Sequence, residues 1–192
     1  LHGESKYIDC MERTLYNGVI SGMSMDGGRF FYPNPLSSDG KYAFNADGNT
    51  TRQPWFGCAC CPSNLCRFIP SVPGYLYGVK DNNIYVNLFA GNTSTIKVNG
   101  KDVVLEETTE YPWNGDIKIA VKKSGVKNAN LLVRIPGWVR NQVVPSDLYK
   151  YSDAEKPAYT VTVNGKAVEA DLDANKGYLP VKNIKKGDVI RI

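Results

Sequence analysis

The sequence predicts a mainly β fold, an antiparallel β-sandwich preceded by a helix. From residue 74 onward, apolar and polar residues alternate in short segments, which is the pattern of strands that bury one face. Asn-Gly-Lys occurs at 99–101 and again at 164–166, and this tripeptide is typical of tight hairpins. Residues 4–16 instead repeat apolar residues at the spacing of an amphipathic helix.

The predicted strands are short and separated by turn residues, as expected for a sandwich. They are 75–79, 84–89, 95–98, 103–105, 117–121, 131–136, 159–163 and 188–192. The polar segment 147–157 is predicted to be a loop. Residues 25–32 predict a turn that enters a further strand, and 33–57 predict a long loop.

The helix predicted at 4–16 has one apolar face and can pair Asp9 with Arg13 at i,i+4 on its outer face. Asn17-Gly18 is a stop signal, although the pattern also permits continuation to Gly22. Because a lone amphipathic helix is marginal in water, we expect it to be the last member of a helical array. Both ends of the sequence are therefore expected to be internal to a longer protein.

Composition argues against several classes of function. The 192 residues carry a net charge of +4, and the lysines are scattered, so no nucleic-acid partner is predicted. No apolar run approaches the length needed to cross a bilayer, so no membrane partner is predicted. His2 is the only histidine and is expected at the surface, which excludes Ser-His-Asp and Cys-His nucleophile systems.

Three of the five cysteines fall within Cys58-Ala59-Cys60-Cys61. A disulfide between Cys60 and Cys61 is disfavoured, because neighbouring Cα atoms are about 3.8 Å apart and disulfides prefer about 5.5 Å. The cluster is better suited to a metal or a reactive thiolate, and a buried, inert cluster is the alternative. Trp55 and Phe56 precede it and are candidates either for stacking on a sugar ring or for packing in the core.

The residues after the cluster favour a thiolate. Pro62 is well placed for the first helical position, where its missing N–H costs nothing. Residues 64–69 are then predicted to form a short helix that Pro70 would end. The positive end of that helix would face Cys60 and Cys61 and lower the pKa of a thiol there.

The other candidate ligands and catalysts are weaker. Zinc usually has four protein ligands in a structural site, and the cluster offers two or three thiols, so the remaining ligands are expected outside these residues. Cys10 and Cys66 are expected to pack rather than to bind metal. The carboxylates are expected to have local or surface roles. Four are expected to make local hydrogen bonds in turns, Asp26, Asp39, Asp47 and Asp81, and three are expected to be solvated in the all-β part, Glu106, Glu107 and Glu110.

Several motifs together resemble glycoside hydrolase family 127, the β-L-arabinofuranosidases. The similarity is strongest over residues 1–90, and Cys-Cys-Pro-x-Asn is its most specific element. The motifs are Glu12-Arg13-Thr14-Leu15-Tyr16-Asn17-Gly18, Phe30-Phe31-Tyr32-Pro33-Asn34-Pro35-Leu36 and Trp55-Phe56-Gly57-Cys58-Ala59-Cys60-Cys61-Pro62-Ser63-Asn64, with Ile135-Pro136-Gly137-Trp138 and Gly177-Tyr178-Leu179-Pro180 later in the chain. The proline-containing segment 69–73 departs from the family, which usually has an uninterrupted helix there.

The resemblance implies an (α/α)6 barrel, of which residues 1–73 would be the C-terminal remnant, followed by a β-sandwich domain at 74–192. It implies retaining hydrolysis of β-L-arabinofuranosyl linkages, with Cys60 as nucleophile and zinc ligand and Cys61 as the neighbouring ligand. Family members take a glutamate and a cysteine ligand, and the acid/base glutamate, from earlier barrel segments. The partners implied are an arabinofuranosyl-containing glycan and that missing barrel segment, and the chain alone is expected to be inactive.

Two other functions fit the same residues. One is a non-catalytic carbohydrate-binding β-sandwich with a structural cysteine cluster. The other is a redox or metal-storage module that would bind zinc or copper at Cys58, Cys60 and Cys61 whether or not a sugar is present.

Overall fold

The computed structural model describes residues 3–153 and 159–192. His2, and residues 154–157 of the predicted loop, lie outside the described residues. Contacts divide the chain into two compact units, one of Leu1–Cys10 with Gly74–Ile192 and one of Met11–Pro73. The division into domains 1–73 and 74–192 stays a prediction, while the mainly β fold is confirmed.

The first unit contains ten strands among its described residues, in two sheets. One sheet has the order β1-β2-β6-β9 and the other the order β3-β4-β5-β10-β7-β8. The strands are β1 (Tyr77–Lys80), β2 (Asn83–Val86), β3 (Asn92–Val98), β4 (Lys101–Thr109), β5 (Ile117–Ser124), β6 (Asn130–Arg134), β7 (Thr162–Val163), β8 (Lys166–Ala167), β9 (Tyr178–Val181) and β10 (Val189–Arg191). Sequence analysis did not predict β9. This strand lies at a sheet edge, where its residue Pro180 is tolerated.

Both sheets contribute to one hydrophobic core, so this unit is a β-sandwich. The alternation seen in the sequence is the cause, since every second residue of a strand points to the same face. Fully buried members of this core include Ile84, Val86, Leu131 and Leu179 from one sheet and Val98, Val103, Leu105, Ile119 and Ile190 from the other.

One expectation about the sandwich is wrong, because its sheets are not antiparallel throughout. Strands β2 and β6 pair in parallel, with Asn83 opposite Asn130 and Val86 opposite Val133. Three strands of the other sheet (β3, β4 and β5) lie between them in the chain, so the connection returns to the end of the sheet where β2 began. Parallel pairing requires such a crossover.

The two Asn-Gly-Lys segments form the predicted hairpins. Asn99 and Gly100 have φ values of 48° and 74°, and Asn164 and Gly165 have 52° and 80°. Two successive residues with positive φ define the type I′ turn, whose twist matches that of the strands it joins. These turns set the β3–β4 and β7–β8 registers.

The first helix is α1, at Ser5–Thr14. It continues as a π-helical turn at Leu15–Val19 and a 3₁₀ turn at Ile20–Gly22, so Asn17-Gly18 widens the helix without ending it. Asp9 does not form the predicted surface ion pair with Arg13. Its carboxylate lies 2.7 Å from Nη1 of Arg134, a fully buried residue of β6.

Arg134 has several partners in the interior. Besides Asp9, its Nε donates to the carbonyl oxygen of Asn87, and its guanidinium lies 5.4 Å from the ring centroid of Phe89. Arg140 approaches the second carboxylate oxygen of Asp9 at 3.7 Å and donates to Ser5. A buried ion requires such pairing because desolvation alone costs several kcal/mol. This network fixes the beginning of α1 to the sandwich.

Glu107 corrects another expectation, because it is buried and only 2% exposed. It lies on the inward face of β4 with Val103 and Leu105. Its carboxylate accepts hydrogen bonds from the hydroxyl of Tyr77 (3.0 Å) and the amide of Ala90 (3.2 Å). Burial is the dominant influence and raises the pKa of Glu107 to about 7.

Because Glu107 is buried, the free energy of unfolding should depend on pH, and Glu107→Gln should remove that dependence. The folded-state pKa of Glu107 (about 7) is above its ordinary value of 4.5, so the folded state binds the proton more tightly. The contribution is full below about pH 4.5 and is lost as pH rises through 7, by roughly 3 kcal/mol in total. In urea unfolding at pH 5 and pH 8, Glu107→Gln should lack this loss.

Glu106→Gln is the matched control, since Glu106 is the neighbouring residue on β4 and pairs with Lys122 at the surface. This variant should keep the wild-type pH dependence. If Glu107→Gln keeps it too, the carboxyl of Glu107 is not the group responsible.

The second unit contains the end of α1, a 3₁₀ turn at Ala46–Gly48 and helix α2 at Cys60–Phe68, which is followed by a 3₁₀ segment at Ile69–Tyr75. The strand expected within 25–32 does not form, since Phe30 makes only isolated bridges to Met23 and Gln53. Asp26 and Asp39 accept hydrogen bonds from nearby residues, as predicted for turn aspartates. No helix in the described part of the chain is long and apolar enough to span a bilayer.

Candidate active site

Helix α2 places two cysteines in its first turn. It begins at Cys60, with Ala59 as N-cap, and the amide of Ser63 donates to the carbonyl of Ala59 at 3.1 Å. Pro62 is therefore the third helical residue, whereas sequence analysis expected it at the first position. Proline is tolerated there because the first-turn amides have no partner within a helix. Cys60 and Cys61 are thus part of the helix N-terminus, where the helix dipole favours negative charge.

The thiols form an exposed cluster. Sγ of Cys60 and Sγ of Cys61 are 3.8 Å apart, and all five cysteines are free and exposed. The hydroxyl of Tyr32 lies 2.6 Å from Sγ of Cys60 and 3.9 Å from Sγ of Cys58. The alternative of a buried, inert cluster does not fit this arrangement.

Tyr32 is a candidate functional residue that sequence reasoning missed. Its backbone amide donates to Oδ1 of the buried Asn45 at 2.8 Å, which fixes this point of the long loop. Its ring packs edge to face on Phe56, with centroids 5.4 Å apart. The available signal was its place in Phe30-Phe31-Tyr32, one of the motifs behind the family resemblance, but nothing in that motif predicts a contact 28 residues further along the chain.

The pKa values of the two adjacent thiols are shifted in opposite directions. The Tyr32 hydroxyl, and secondly the Cys61 thiol, lower the pKa of Cys60. Partial desolvation by neighbouring atoms, and then Cys60, raise the pKa of the exposed Cys61. Hydrogen bonds to Cys60 first, and then to Cys58, raise the pKa of Tyr32. Cys60 is therefore the thiol of the adjacent pair that ionises first.

Replacing Tyr32 with phenylalanine should slow the alkylation of Cys60. The variant loses the hydroxyl that stabilises the thiolate, so the pKa of Cys60 should rise and the rate at pH 7 should fall about threefold to tenfold. Metal-free protein would be labelled with iodoacetamide, and the labelled peptides would be quantified by mass spectrometry. Cys66, on the same helix, is the internal control and should react at its wild-type rate. An unchanged pH profile for Cys60 would contradict the assignment.

The spacing of the Cys60 and Cys61 thiols fits two ligands of one zinc ion. Two thiolates on a tetrahedral zinc, with Zn–S of about 2.3 Å, have sulfurs about 3.8 Å apart. The separation of Sγ atoms in Cys60 and Cys61 is 3.8 Å. Within residues 3–153 and 159–192, however, no group of three or more metal-binding side chains is close enough to hold an ion. Those residues can supply part of a zinc site and not a whole one.

The remaining predicted residues are placed as follows. Phe56 is 4% exposed and packs on Tyr32, which agrees with a core role, whereas Trp55 is 54% exposed and stays a candidate for sugar stacking. Cys10 and Cys66 are exposed, so the expectation that they pack is wrong. A cleft of about 390 Å³ borders Cys61, and its walls include Phe31, Asn34, Asn64, Leu65 and Phe68.

Comparison with known families identifies the chain. Residues 1–74 match the family described as "Beta-L-arabinofuranosidase, GH127 catalytic domain", and residues 83–192 match "Beta-L-arabinofuranosidase, GH127 middle domain". Both describe domains of glycoside hydrolases. The chain belongs to glycoside hydrolase family 127.

Individual relatives agree with this membership. A non-reducing end β-L-arabinofuranosidase of Bifidobacterium longum subsp. longum is 31% identical over 200 residues, which covers 100% of this chain and 27% of the relative. The structure of a GH127 β-arabinofuranosidase is 56% identical with a TM-score of 0.89, over 100% of this chain and 28% of that one. A GH127 β-L-arabinofuranosidase from Geobacillus stearothermophilus T6 is 35% identical with a TM-score of 0.76, over 99% and 28%. The chain thus spans little more than a quarter of these relatives.

Proposed function

We propose that this chain is part of a retaining glycoside hydrolase that cleaves β-L-arabinofuranosyl linkages, with the Cys60 thiolate as nucleophile. The observation that supports this most is the exposed Sγ of Cys60, 2.6 Å from the Tyr32 hydroxyl at the start of α2, in a member of family 127. The names of the relatives supply the substrate class, a glycan with terminal β-L-arabinofuranosyl residues.

Each residue near the thiol has a stated part in this proposal. Tyr32 holds Sγ of Cys60 in place and favours its ionised form. The first-turn amides of α2 add a favourable field for the same negative charge. Cys60 and Cys61 would hold zinc, which when bound keeps thiols deprotonated at neutral pH. The exposed Trp55 offers an aromatic face for the sugar.

The reaction is a double displacement. The Cys60 thiolate attacks the anomeric carbon, and the bond to the departing oxygen breaks as an acid protonates that oxygen. Water, activated by the same group acting as base, then displaces the sulfur and regenerates the thiolate with retention of configuration. Because the chain spans little more than a quarter of its relatives, we assign the acid/base and the other metal ligands to the barrel segment of the longer protein. The chain alone should then be inactive.

The test compares the complete reading frame with the 192-residue chain. The complete protein should hydrolyse 4-nitrophenyl β-L-arabinofuranoside, lose activity on chelation and regain it with zinc, and the 192-residue chain should show no turnover. A complete protein that binds arabinofuranosyl glycans without hydrolysing them would instead support a carbohydrate-binding module. Activity unaffected by chelation would refute the zinc part of the proposal and leave the glycosidase part standing.

A further inference from the structure

Cys58 is a third thiol at the site, and the proposed function does not use it. Its Sγ lies 3.9 Å from the Tyr32 hydroxyl, which also contacts Sγ of Cys60 at 2.6 Å. One oxygen atom therefore touches both sulfurs. Both thiols are exposed, so small oxidants in solution can reach them.

The backbone between these cysteines has a bend that suits a disulfide. Ala59 has φ −101° and ψ 33°, which places the Cα atoms of its two neighbours about 5.5 Å apart. Protein disulfides most often have Cα atoms about 5.5–6 Å apart. Cys60 and Cys61 are adjacent, with Cα atoms about 3.8 Å apart, which lies below that range. The geometry thus permits pairing of Cys58 with Cys60 and disfavours pairing of Cys60 with Cys61.

We propose that Cys58 is a resolving cysteine that captures oxidised Cys60 in a reversible Cys58–Cys60 disulfide. In the first step the Cys60 sulfur attacks hydrogen peroxide, the O–O bond breaks, and sulfenic acid and water are formed. In the second step the Cys58 sulfur attacks the sulfenic sulfur, the S–O bond breaks and a second water leaves as the disulfide forms. Peroxide is reduced by two electrons, and the two thiols are oxidised by two electrons.

This modification goes beyond the proposed function and does not depend on it. The disulfide removes the free thiol of Cys60 and shields its sulfur from further oxidation to sulfinic acid, which thiols do not reverse. A dithiol reductant restores both cysteines by thiol–disulfide exchange. The test therefore measures peptide mass and not glycosidase activity.

The experiment treats the complete protein and its variants with at least two equivalents of hydrogen peroxide, traps free thiols with iodoacetamide and maps the peptides. Trypsin should release Gln53–Arg67, which contains four of the five cysteines, Cys58, Cys60, Cys61 and Cys66. We expect this peptide to become about 2 Da lighter than the reduced form, to lose two alkylation sites and to recover them with dithiothreitol. Tandem mass spectra should place the bond between Cys58 and Cys60. Because bound zinc would compete for Cys60, the measurement is made with added zinc and after chelation.

Two serine variants complete the test. Cys58→Ser should lose the disulfide and accumulate the Cys60 sulfinate, about 32 Da heavier and resistant to dithiothreitol, about tenfold above wild type. Cys66→Ser removes an exposed thiol of the same peptide and should behave as wild type. The disulfide is mapped in the wild-type protein, so this part of the test does not depend on whether a variant folds. Three results would each overturn the proposal. The first is a disulfide from Cys60 to Cys61 or Cys66, and the second is the absence of any disulfide both with added zinc and after chelation. The third is that dithiothreitol restores the alkylation sites of Cys58→Ser as fully as those of the wild type.

Discussion

Replacing Cys60 with serine in the complete protein lowers kcat on a β-L-arabinofuranosyl substrate by about 10⁴-fold or more, if the proposed nucleophile is correct. The serine hydroxyl ionises far above neutral pH, so it supplies almost no nucleophile, and the hydrogen bond from Tyr32 cannot compensate for this. Since Cys60 is exposed, the change should leave the fold intact. Steady-state kinetics, with circular dichroism to verify folding, would measure the effect.

Cys66→Ser is the matched control for this experiment. Cys66 lies on the same helix and is also an exposed free thiol, but no described contact joins it to Tyr32. Its variant should keep kcat within about twofold of wild type. Near-normal activity in Cys60→Ser would refute the nucleophile, and a comparable loss in Cys66→Ser would point to damage of α2 as a whole.

Gly177→Ala has the largest expected effect on stability. Gly177 has φ +83°, and a Cβ there would lie 1.9 Å from Oγ and 2.8 Å from Cβ of Ser5, and 2.9 Å from Nη2 of Arg140. The side chain of alanine has no space, and its backbone is strained, so α1 must move away from the sandwich. We expect a loss of roughly 3–5 kcal/mol. Thermal unfolding, with hydrogen exchange at β6 and β9, would measure it.

Gly165→Ala separates strain from steric overlap. Gly165 has φ +80°, almost the same as Gly177, but a Cβ there has no neighbour within 4 Å. This variant bears only the left-handed penalty, about 1 kcal/mol. Equal losses in the two variants would show that the contact with Ser5 is unimportant.

The sequence was most informative where one local rule determines the structure. Both Asn-Gly hairpins, the strand alternation and the turn aspartates follow from residues within a few positions of one another. Cys60 and Cys61 were recognised as a pair for the same reason. Their Sγ–Sγ distance of 3.8 Å follows from two adjacent residues in one helical turn.

The sequence was least informative where a partner is distant in the chain. Asp9 had a good local partner in Arg13, but its carboxylate meets Arg134, 125 residues away. Glu107 was expected in solvent because charged residues usually are, and its burial depends on donors distant in the chain, the hydroxyl of Tyr77 at 30 residues and the amide of Ala90 at 17 residues. The contact of Tyr32 with Cys60 is of the same kind. Local periodicity contains no information about such pairs.

The parallel pairing of β2 with β6 also determines the order in which the sandwich can assemble. Asn83 and Asn130 are 47 residues apart, so this pair closes only after the intervening chain has become compact. Strands β3, β4 and β5 are joined by short connections, and they can form a three-stranded meander early. A chain emerging from the ribosome would therefore form the β3–β4–β5 part of the second sheet before β2 can pair with β6, and β2 would remain unpaired on its β6 side until residue 134 had been synthesised.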